Sequence, residues 1–331
     1  MTLKPKVYIR TDGSPEIGLG HLTRCIALAY MLKKDFAITF VCKEIPEKIS
    51  RELDESQFAL LKIDDSVFFD LLKPKDIVIL DGYHFNTNYQ KIIKAKGGKL
   101  VCIDDLHDKE FVADLIINHA PGMKPGDYQA KPYTQFALGF KYSLLRPAFL
   151  EQAKKKRKIE TTETVMICFG GADYKNLTES TLKVVLEFDE LKKIIVITGS
   201  AYNYLDRLSQ LIQTDKRVVH FHSVGEDQMV AIMQNTDLAI VPASGILFEA
   251  LAVGCRVIFG YYVENQKYFS DYLKHISIDE ICIDDMNLGL TKLKKAIRTK
   301  SNKDYFSHIR YCIGQSKNNN LYAFKQLISE E

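Results

Sequence analysis

Short apolar runs alternate with helical patterns along the first half of the chain. Runs rich in β-branched and aromatic residues predict strands at 6–10, 36–42, 58–63, 77–80, 100–103 and 115–117. After the first strand, apolar residues recur at three- and four-residue steps from Leu22 to Leu32, which predicts a helix with one buried face. This alternation is typical of a doubly wound α/β domain built on a parallel sheet.

The same pattern starts again in the second half. Strands are predicted at 164–169, 194–197, 218–223, 238–241 and 257–259, with helices between them and one or two terminal helices over 303–331. We therefore predict two Rossmann-like domains, an N-terminal one at 1–150 and a C-terminal one at 161–331. The segment 151–160, which contains the basic cluster 154–158, is interpreted as a solvated linker.

Composition narrows the class of protein. The chain has 331 residues, of which 46% are hydrophobic, and a net charge of only +3, which disfavours a nucleic-acid partner. Its seven cysteines form no C-x-x-C pair, and no apolar run reaches the ~18 residues of a membrane span. The first predicted strand also begins too early to leave room for a signal peptide. We expect a cytoplasmic protein without stable membrane insertion, present as a monomer or weak oligomer.

The first candidate for chemistry is a glycine-rich turn between the first strand and the first helix. Gly18 and Gly20 precede His21, which is placed in the first helical turn. Unpaired N–H groups and the positive end of the helix dipole lie there, so we expect this histidine to favour the neutral, base-competent form. The alternative is a tight turn with a packing histidine. A dinucleotide fingerprint would need glycine where Thr23 stands.

The second half contains two further strand-to-helix turns. Ser244 and Gly245 precede a helix whose free N–H groups would suit a phosphate or diphosphate, and Glu249, one turn later, could accept hydrogen bonds from ribose hydroxyls. Alternatively, Glu249 is only a charged residue of the helix that is exposed to solvent. Gly170 and Gly171 form the other turn, which either helps to hold phosphate oxygens or is an ordinary glycine turn.

Weaker candidates follow other strands. Asp104 and Asp105 either hold a divalent cation or cap the next element, and no third ligand is evident at close spacing. His84 and His119 lie near strand ends and are kept as supporting candidates, whereas His220 and His222 are interpreted as structural. We therefore expect no metal and no cofactor.

Three motifs carry a resemblance to a known family. They are Arg10-Thr-Asp-Gly-Ser-x-x-Ile-Gly-x-Gly-His-x-x-Arg24, Phe169-Gly-Gly-Ala-Asp173 with Asn176-Leu-Thr178, and Ala243-Ser-Gly-x-x-Phe-Glu-Ala-Leu-Ala-Val-Gly254 with Asn265-Gln266. The chain resembles the nucleotide-sugar hydrolases of pseudaminic acid biosynthesis, which release UDP from UDP-2,4-diacetamido-2,4,6-trideoxy-β-L-altropyranose. That family is similar in fold to GT-B glycosyltransferases. The resemblance implies two Rossmann-like domains facing across a cleft, with the C-terminal helices returning to the N-terminal domain.

The resemblance also implies roles for individual residues. His21 matches the family's general base, Glu249 matches the residue that holds the ribose, and no metal is required. The sugar site is expected to contain Asp12, Gly20, Arg24, Tyr83, Asn265 and Gln266. The UDP site is expected to contain Gly170, Gly171, Ser244, Gly245 and Glu249. Two departures from the family's pattern, Tyr174 in place of a frequent proline and the string Thr11-Asp12-Gly13, bear on the identity of the sugar.

The expected reaction is hydrolysis of a UDP-linked 2,4-diacetamido-2,4,6-trideoxyhexose by inverting attack of water at the anomeric carbon. Nucleoside diphosphate is a good leaving group, and helix N-termini and glycine-turn amides would stabilise its charge. Two alternatives remain open: a glycosyltransferase of the same fold that uses a UDP-sugar donor, and a non-catalytic nucleotide-sugar binding protein. A nicotinamide-dependent oxidoreductase is disfavoured by the incomplete glycine fingerprint.

Overall fold

The structure is a computed structural model that describes residues 4–14, 18–262, 264–275, 282–285, 294, 297 and 306–329. The chain divides into two compact units. The first comprises residues 1–147 together with 315–331, and the second comprises residues 148–314. The first unit is therefore discontinuous in sequence.

The first unit is built on a seven-stranded sheet in which every pairing is parallel. Its strands are β1 Lys6–Thr11, β2 Ala37–Cys42, β3 Ala59–Lys62, β4 Ile77–Asp81, β5 Lys99–Ile103, β7 Leu115–Asn118 and β9 Gln135–Leu138. Two short strands, β6 Glu110–Phe111 and β8 Gln129–Ala130, form a separate parallel pair. Strand β4 is buried throughout and β5 in four of its five residues, as their near-continuous apolar sequences predict for a parallel sheet covered on both faces, whereas β1 has four buried residues of six.

Helices connect these strands and close the first unit. They are α1 Gly20–Leu32, α2 Glu47–Glu55, α3 Asp65–Leu71, α4 Thr87–Ala95 and, from the end of the chain, α12 Ser316–Ser329. Helix α12 packs on α1: the rings of Phe324 and Phe36 have centroids 6.0 Å apart, and Lys325 Nζ lies 2.7 Å from Asp35 Oδ1. The last helix therefore completes the core of the first unit.

The second unit has a six-stranded parallel sheet. Its strands are β10 Thr164–Cys168, β11 Lys193–Thr198, β12 Val218–His222, β13 Leu238–Pro242, β14 Arg256–Tyr261 and β15 Cys282–Asp285. Its helices are α5 Pro147–Ala153, α6 Leu177–Val185, α7 Leu205–Ile212, α8 Glu226–Gln234, α9 Gly245–Val253, α10 Glu264–His275 and α11 Ser307–Gly314. The prediction of two Rossmann-like α/β sheets is confirmed.

The order of the strands fixes where each sheet can bind a ligand. The first sheet runs β3-β2-β1-β4-β5-β7-β9, and the second runs β12-β11-β10-β13-β14-β15. In each sheet, the second and third strands of the unit lie on one side of its first strand. The strands that follow lie on the other side of that first strand. Ligands of such sheets bind beyond the carboxyl ends of the strands where the order reverses. That point lies between β1 and β4 in the first unit and between β10 and β13 in the second.

The segment expected to be a solvated linker, 151–160, differs in part from that expectation. It begins inside α5, which ends at Ala153. Lys154 to Lys156 and Lys158 are exposed, but Arg157 donates hydrogen bonds to the carbonyl oxygens of Met233 and Thr236, at 2.8 and 2.6 Å. Its guanidinium therefore stabilises the turn after α8 rather than facing only solvent. Within the described ranges, no helix combines the length and apolar character needed to cross a membrane.

The packing of α12 on α1 gives a first testable prediction. Phe324 is fully buried, so Phe324→Ala should lower the free energy of unfolding of the first unit by about 3–5 kcal/mol through lost burial and a residual cavity. Tyr322→Ala, on the same helix but 65% exposed, should change it by less than about 0.5 kcal/mol. Urea unfolding of both variants tests this. If Phe324→Ala lowered the free energy of unfolding as little as Tyr322→Ala, the helix would contribute little to the core.

Candidate functional site

The candidate catalytic site lies where the strand order of the first sheet reverses. Strands β1 and β4 are neighbours, and the register pairs Thr11 with Asp81, so their carboxyl ends are level. The chain leaves β1 through the glycine-rich turn and enters α1, whose second residue is His21. This topology brings His21 and Asp81 together although 60 residues separate them in sequence.

Asp81 is fully buried and accepts hydrogen bonds at both carboxylate oxygens. Oδ1 lies 2.6 Å from His21 Nδ1 and 2.6 Å from Arg24 Nη2, and Oδ2 lies 2.6 Å from Arg24 Nε. The Cys25 thiol is a further donor, with Sγ 3.4 Å from Oδ2. Burial alone would raise the pKa of Asp81, but the charge and hydrogen bonds of Arg24 and His21 hold it well below its usual range. Asp81 is therefore an ionised carboxylate.

The ionised carboxylate determines which nitrogen of His21 carries a proton. A carboxylate can only accept, so His21 Nδ1 must be the donor at 2.6 Å. In neutral His21 the proton is then on Nδ1, and Nε2 has a free lone pair. His21 is only 7% exposed and its ring is fixed by α1 and Asp81. The arrangement leaves Nε2 as the accepting atom of the neutral ring and gives that atom a defined direction.

Arg24 joins this pair to a second carboxylate. Its Nη1 lies 2.7 Å from both oxygens of Asp105, in the loop after β5. Tyr83, 49% exposed, donates to Asp105 Oδ2 at 3.5 Å, and its ring stands edge-to-face on His21 with centroids 4.8 Å apart. His21, Arg24 and Tyr83 are therefore in one group, and Gly20 lies beside them, exposed, at the start of α1. Arg24 donates to both carboxylates, and its Nη2 also lies 3.1 Å from His21 Nδ1.

His119 lies close enough to this group for the charges of Arg24, Asp105 and Asp81 to affect its pKa. Its Nδ1 accepts a hydrogen bond from the backbone N–H of Leu144 at 3.3 Å. Burial lowers the pKa of His119 to about 4, and the charge of Arg24 contributes to the shift. His119 is thus a neutral imidazole at physiological pH, with its proton on Nε2.

Asp12, predicted in the sugar site, belongs to a neighbouring ionic group. One oxygen accepts from the backbone N–H groups of Lys43 and Glu44, at 2.7 and 3.1 Å, and the other from Arg10 Nη1 at 2.6 Å. Arg10 is fully buried and also donates to Asp65 at 2.9 Å. This group ties the loop after β1 to the loop after β2, and a contact of Asp12 with a sugar stays a prediction.

The two glycine turns of the second unit differ in how their helices begin. After Gly170 and Gly171, the buried carboxylate of Asp173 accepts from the N–H groups of Leu177 and Thr178, at 2.9 and 2.8 Å. The N-terminus of α6 is thus capped from within the protein. At the start of α9, Ser244 makes no side-chain capping hydrogen bond to any described residue, and Gly245 is exposed. Of the two, the α9 turn is the more accessible to an anion.

The other predicted residues of the second unit differ in their burial and in their contacts. Glu249 is 9% exposed on α9, so it is not a solvated helix charge. Gln266 Oε1 accepts from the backbone N–H of Tyr262 at 3.2 Å, so this side chain makes a capping contact at the start of α10. The side chain of Asn265 lies outside the described residues. His220 Nε2 and His222 Nδ1 both contact Thr198 Oγ1, at 2.8 and 3.0 Å.

Of the two carboxylates that contact Arg24, Asp81 is not among the predicted site residues, and Asp105 is predicted only as a cation ligand or a cap. Each ends or follows a buried strand, which is the only signal that the sequence offers for them. Asp104, their neighbour, accepts from the backbone N–H of His107 at 2.7 Å and so caps a turn. Among the residues that the structure describes, no group of three or more histidine, cysteine or acidic side chains is arranged to hold a metal ion.

Sequence comparisons agree with the motifs. No family model matches the chain. UDP-2,4-diacetamido-2,4,6-trideoxy-β-L-altropyranose hydrolase from Campylobacter jejuni is 29% identical over 279 residues, which cover 81% of this chain and 96% of that protein. The chain resembles this hydrolase. The resemblance predicted from the three motifs is therefore confirmed.

Two further relatives extend the comparison. An uncharacterised protein of Methanocaldococcus jannaschii is 31% identical over 291 residues, covering 82% of this chain but only 59% of its own length. The spore coat polysaccharide biosynthesis protein SpsG of Bacillus subtilis is 24% identical over 274 residues, with 78% of each chain covered.

Solved structures confirm the fold. Acinetobacter baumannii MurG has a TM-score of 0.62 at 11% identity, covering 99% of this chain and all of that one. The glycotransferase of kitacinnamycin has a TM-score of 0.66 at 10% identity, with the same coverage. The chain thus has the GT-B fold of these glycosyltransferases.

The lowered pKa of His119 predicts a dependence of stability on pH. Between its ordinary value of 6.5 and about 4, the unfolded chain binds a proton at His119 that the folded chain does not bind. Stability should therefore fall as the pH is lowered through this range, and it should fall less steeply in His119→Gln. Urea unfolding at several pH values measures both slopes. Above pH 7, the free energy of unfolding should depend on pH in the same way for the wild type and for His119→Gln. If the two pH dependences were also the same below pH 7, the prediction would be contradicted.

Proposed function

We propose that this protein is an enzyme of sugar biosynthesis that hydrolyses a UDP-linked 2,4-diacetamido-2,4,6-trideoxyhexose to the free sugar and UDP. The observation that carries the proposal is the orientation of His21 by a buried carboxylate in a chain that aligns with 96% of the Campylobacter hydrolase. The named activity of that hydrolase supports an enzyme that acts on a nucleotide-linked sugar, and the name of SpsG supports a role in polysaccharide biosynthesis.

In the proposed reaction, His21 Nε2 takes a proton from a water molecule as the water oxygen attacks the anomeric carbon. The bond between that carbon and the diphosphate oxygen breaks, and UDP leaves with the bonding electrons. Attack opposite the leaving group inverts the configuration. The charge that develops on His21 as it accepts the proton lies 2.6 Å from Asp81 Oδ1, so the carboxylate stabilises the imidazolium as it forms.

The second unit is proposed to bind the nucleotide. The uncapped first turn of α9, with Ser244 and exposed Gly245, suits a diphosphate because its N–H groups and the helix dipole both favour negative charge. Glu249, largely buried on the same helix, is proposed to accept hydrogen bonds from the ribose hydroxyls. Gly170 and Gly171 are proposed to contribute backbone N–H groups only, because Asp173 already caps α6.

A glycosyltransferase is the second candidate. It is favoured by the GT-B fold, which the chain shares with enzymes that transfer a sugar. His21 would then deprotonate a hydroxyl group of an acceptor instead of water, and all other roles would be unchanged. Fold alone does not distinguish the two reactions.

The decisive experiment locates the oxygen that water delivers. The purified protein should release UDP from the diacetamido-trideoxy UDP-sugar in ¹⁸O-labelled water, with the label in the free sugar by mass spectrometry. His21→Ala should lower kcat by roughly 10²–10⁴-fold because the base is lost. His222→Gln, an exposed histidine of the second unit, is the matched control.

Each other outcome has a definite meaning. Label in UDP would indicate attack at phosphorus and contradict the mechanism. Full activity of His21→Ala would contradict its role as the base. UDP binding without release of sugar would favour the transferase, which needs an acceptor, or a binding protein.

The role of Asp81 gives a separate prediction. Asp81→Asn removes the charge that orients His21 and stabilises its protonated form, so kcat should fall by roughly 10²–10⁴-fold with little change in KM. Asp65→Asn, which removes a carboxylate paired with Arg10 in the neighbouring ionic group, should retain kcat within about twofold.

The double variant distinguishes orientation from a general loss of structure. If Asp81 acts through His21, then adding Asp81→Asn to His21→Ala should cause little further loss of kcat, because the two residues work as one unit. Fully additive losses would show that Asp81 does not act through the histidine. Near-UV circular dichroism checks that each variant is folded.

A further inference from the structure

A guanidinium and an imidazole share one carboxylate oxygen in the first unit. Arg24 Nη2 and His21 Nδ1 each lie 2.6 Å from Asp81 Oδ1, and the two nitrogens are 3.1 Å apart. A positive charge this close opposes a second positive charge on the imidazole ring. The charges of Arg24 and Asp81 also cancel, so this pair by itself would do little to favour a proton on His21.

Asp105 changes this balance of charge. Both of its carboxylate oxygens lie 2.7 Å from Arg24 Nη1, whereas Asp81 accepts from Nε and Nη2 of the same guanidinium. Burial alone would lower the pKa of Arg24, but the charges of Asp105 and Asp81 hold it well above its ordinary value. The guanidinium is therefore a permanent cation between two carboxylates, and it takes the place beside Asp105 that a metal ion would need.

Three other titratable side chains of the described part of the first unit surround His21. Burial raises the pKa of the Cys25 thiol well above its ordinary value, and burial lowers the pKa of His119 to about 4, so both are neutral at pH 7. Tyr83 contributes a ring edge-to-face on His21 and a hydroxyl that donates a hydrogen bond. Asp12 belongs to the separate ionic group described above. With neutral His21, the cluster therefore has one negative charge in excess.

We propose that Asp105 is a positioning residue of the base: by neutralising Arg24, it leaves the charge of Asp81 for His21. With Asp105 present, a proton taken up by His21 brings the cluster to zero net charge. Without it, the same proton would leave an unpaired positive charge among side chains that are at most 12% exposed. This inference rests on the proposed role of His21 as the base and names the residue that makes its protonation favourable.

The test follows the protonation of His21 by NMR, with no substrate present. In protein labelled with ¹³C at histidine Cε1, the His21 signal is the one that is absent from His21→Ala. Its titration midpoint should lie about one pH unit lower in Asp105→Asn than in the wild type, because a nearby negative charge is lost while the size of the side chain is kept. Asp105→Glu keeps the charge and should move the midpoint much less.

Two further variants support this measurement. Asp108→Asn is the matched control, because Asp108 is exposed on the same loop after β5 and pairs with Lys109, with Oδ1 3.5 Å from Nζ. It should leave the His21 midpoint unchanged. Asp105→Ser is a second uncharged variant, which should lower the midpoint as Asp105→Asn does and replaces it if the asparagine variant does not fold.

Hydrolysis kinetics give an independent measurement. Asp105→Asn should lower kcat by roughly 3- to 30-fold, because a less basic imidazole accepts the proton less readily. The acid limb of the plot of kcat/KM against pH should also move to lower pH. A loss that came only from disturbed structure would lower kcat without moving this limb.

The outcomes separate this inference from the proposed hydrolysis. Equal His21 midpoints in the wild type and in folded Asp105→Asn would overturn the role of Asp105 and leave hydrolysis untouched. A lower midpoint in a protein that releases no sugar would support that role and contradict hydrolysis. An equal shift in Asp108→Asn would indicate a general effect of surface charge and would also overturn the role of Asp105.

Discussion

The buried charge of Asp81 is the constraint on which the candidate catalytic site depends. A carboxylate removed from water is very unfavourable unless it is paired and hydrogen-bonded. Arg24 meets this requirement with two hydrogen bonds and His21 with a third. The same contacts that make the buried charge tolerable also orient the histidine, so stability and chemistry share one set of bonds. A substitution in this group therefore affects both.

The two units share a strand order but present different groups where that order reverses. At the reversal of strand order in the first sheet, the loops present ionisable side chains, which suit proton transfer. At the corresponding point in the second sheet, they present glycines and the exposed start of α9. Backbone N–H groups suit a permanent anion because they offer partial positive charge without taking part in proton exchange. One topology can thus support either task, and the loop residues decide which.

Much of the fold was predictable from the sequence because buried parallel strands have nearly continuous apolar sequences. Strand β4, with all five residues buried, is an example. Strand β9 was missed because it lies at the edge of the sheet, only one of its four residues is buried, and its short apolar run, Phe136 to Leu138, contains no β-branched residue. Arg157 was interpreted as solvated because its partners are carbonyl oxygens from a distant turn.

The candidate site was predictable only in part. His21 could be found from local spacing, since the glycine-rich turn and the helix that follow β1 are contiguous with it. Asp81 could not, because its pairing with His21 depends on β4 lying beside β1, and the order of strands in a sheet is not a local property. Asp12 stays a prediction: the family resemblance assigns it to the sugar site, and in the structure its oxygens contact Arg10 and the loop after β2.

The position of α12 has a consequence for synthesis of the protein. Residues 1–147 are made first, yet the helix that covers Phe36 and α1 comes from residues 316–329, after the whole second unit. Domains that are continuous in sequence can fold while the ribosome is still working. Here the nascent first unit keeps an apolar surface uncovered until the second unit has been translated, so a chaperone or the early folding of the second unit would protect it from aggregation during that interval.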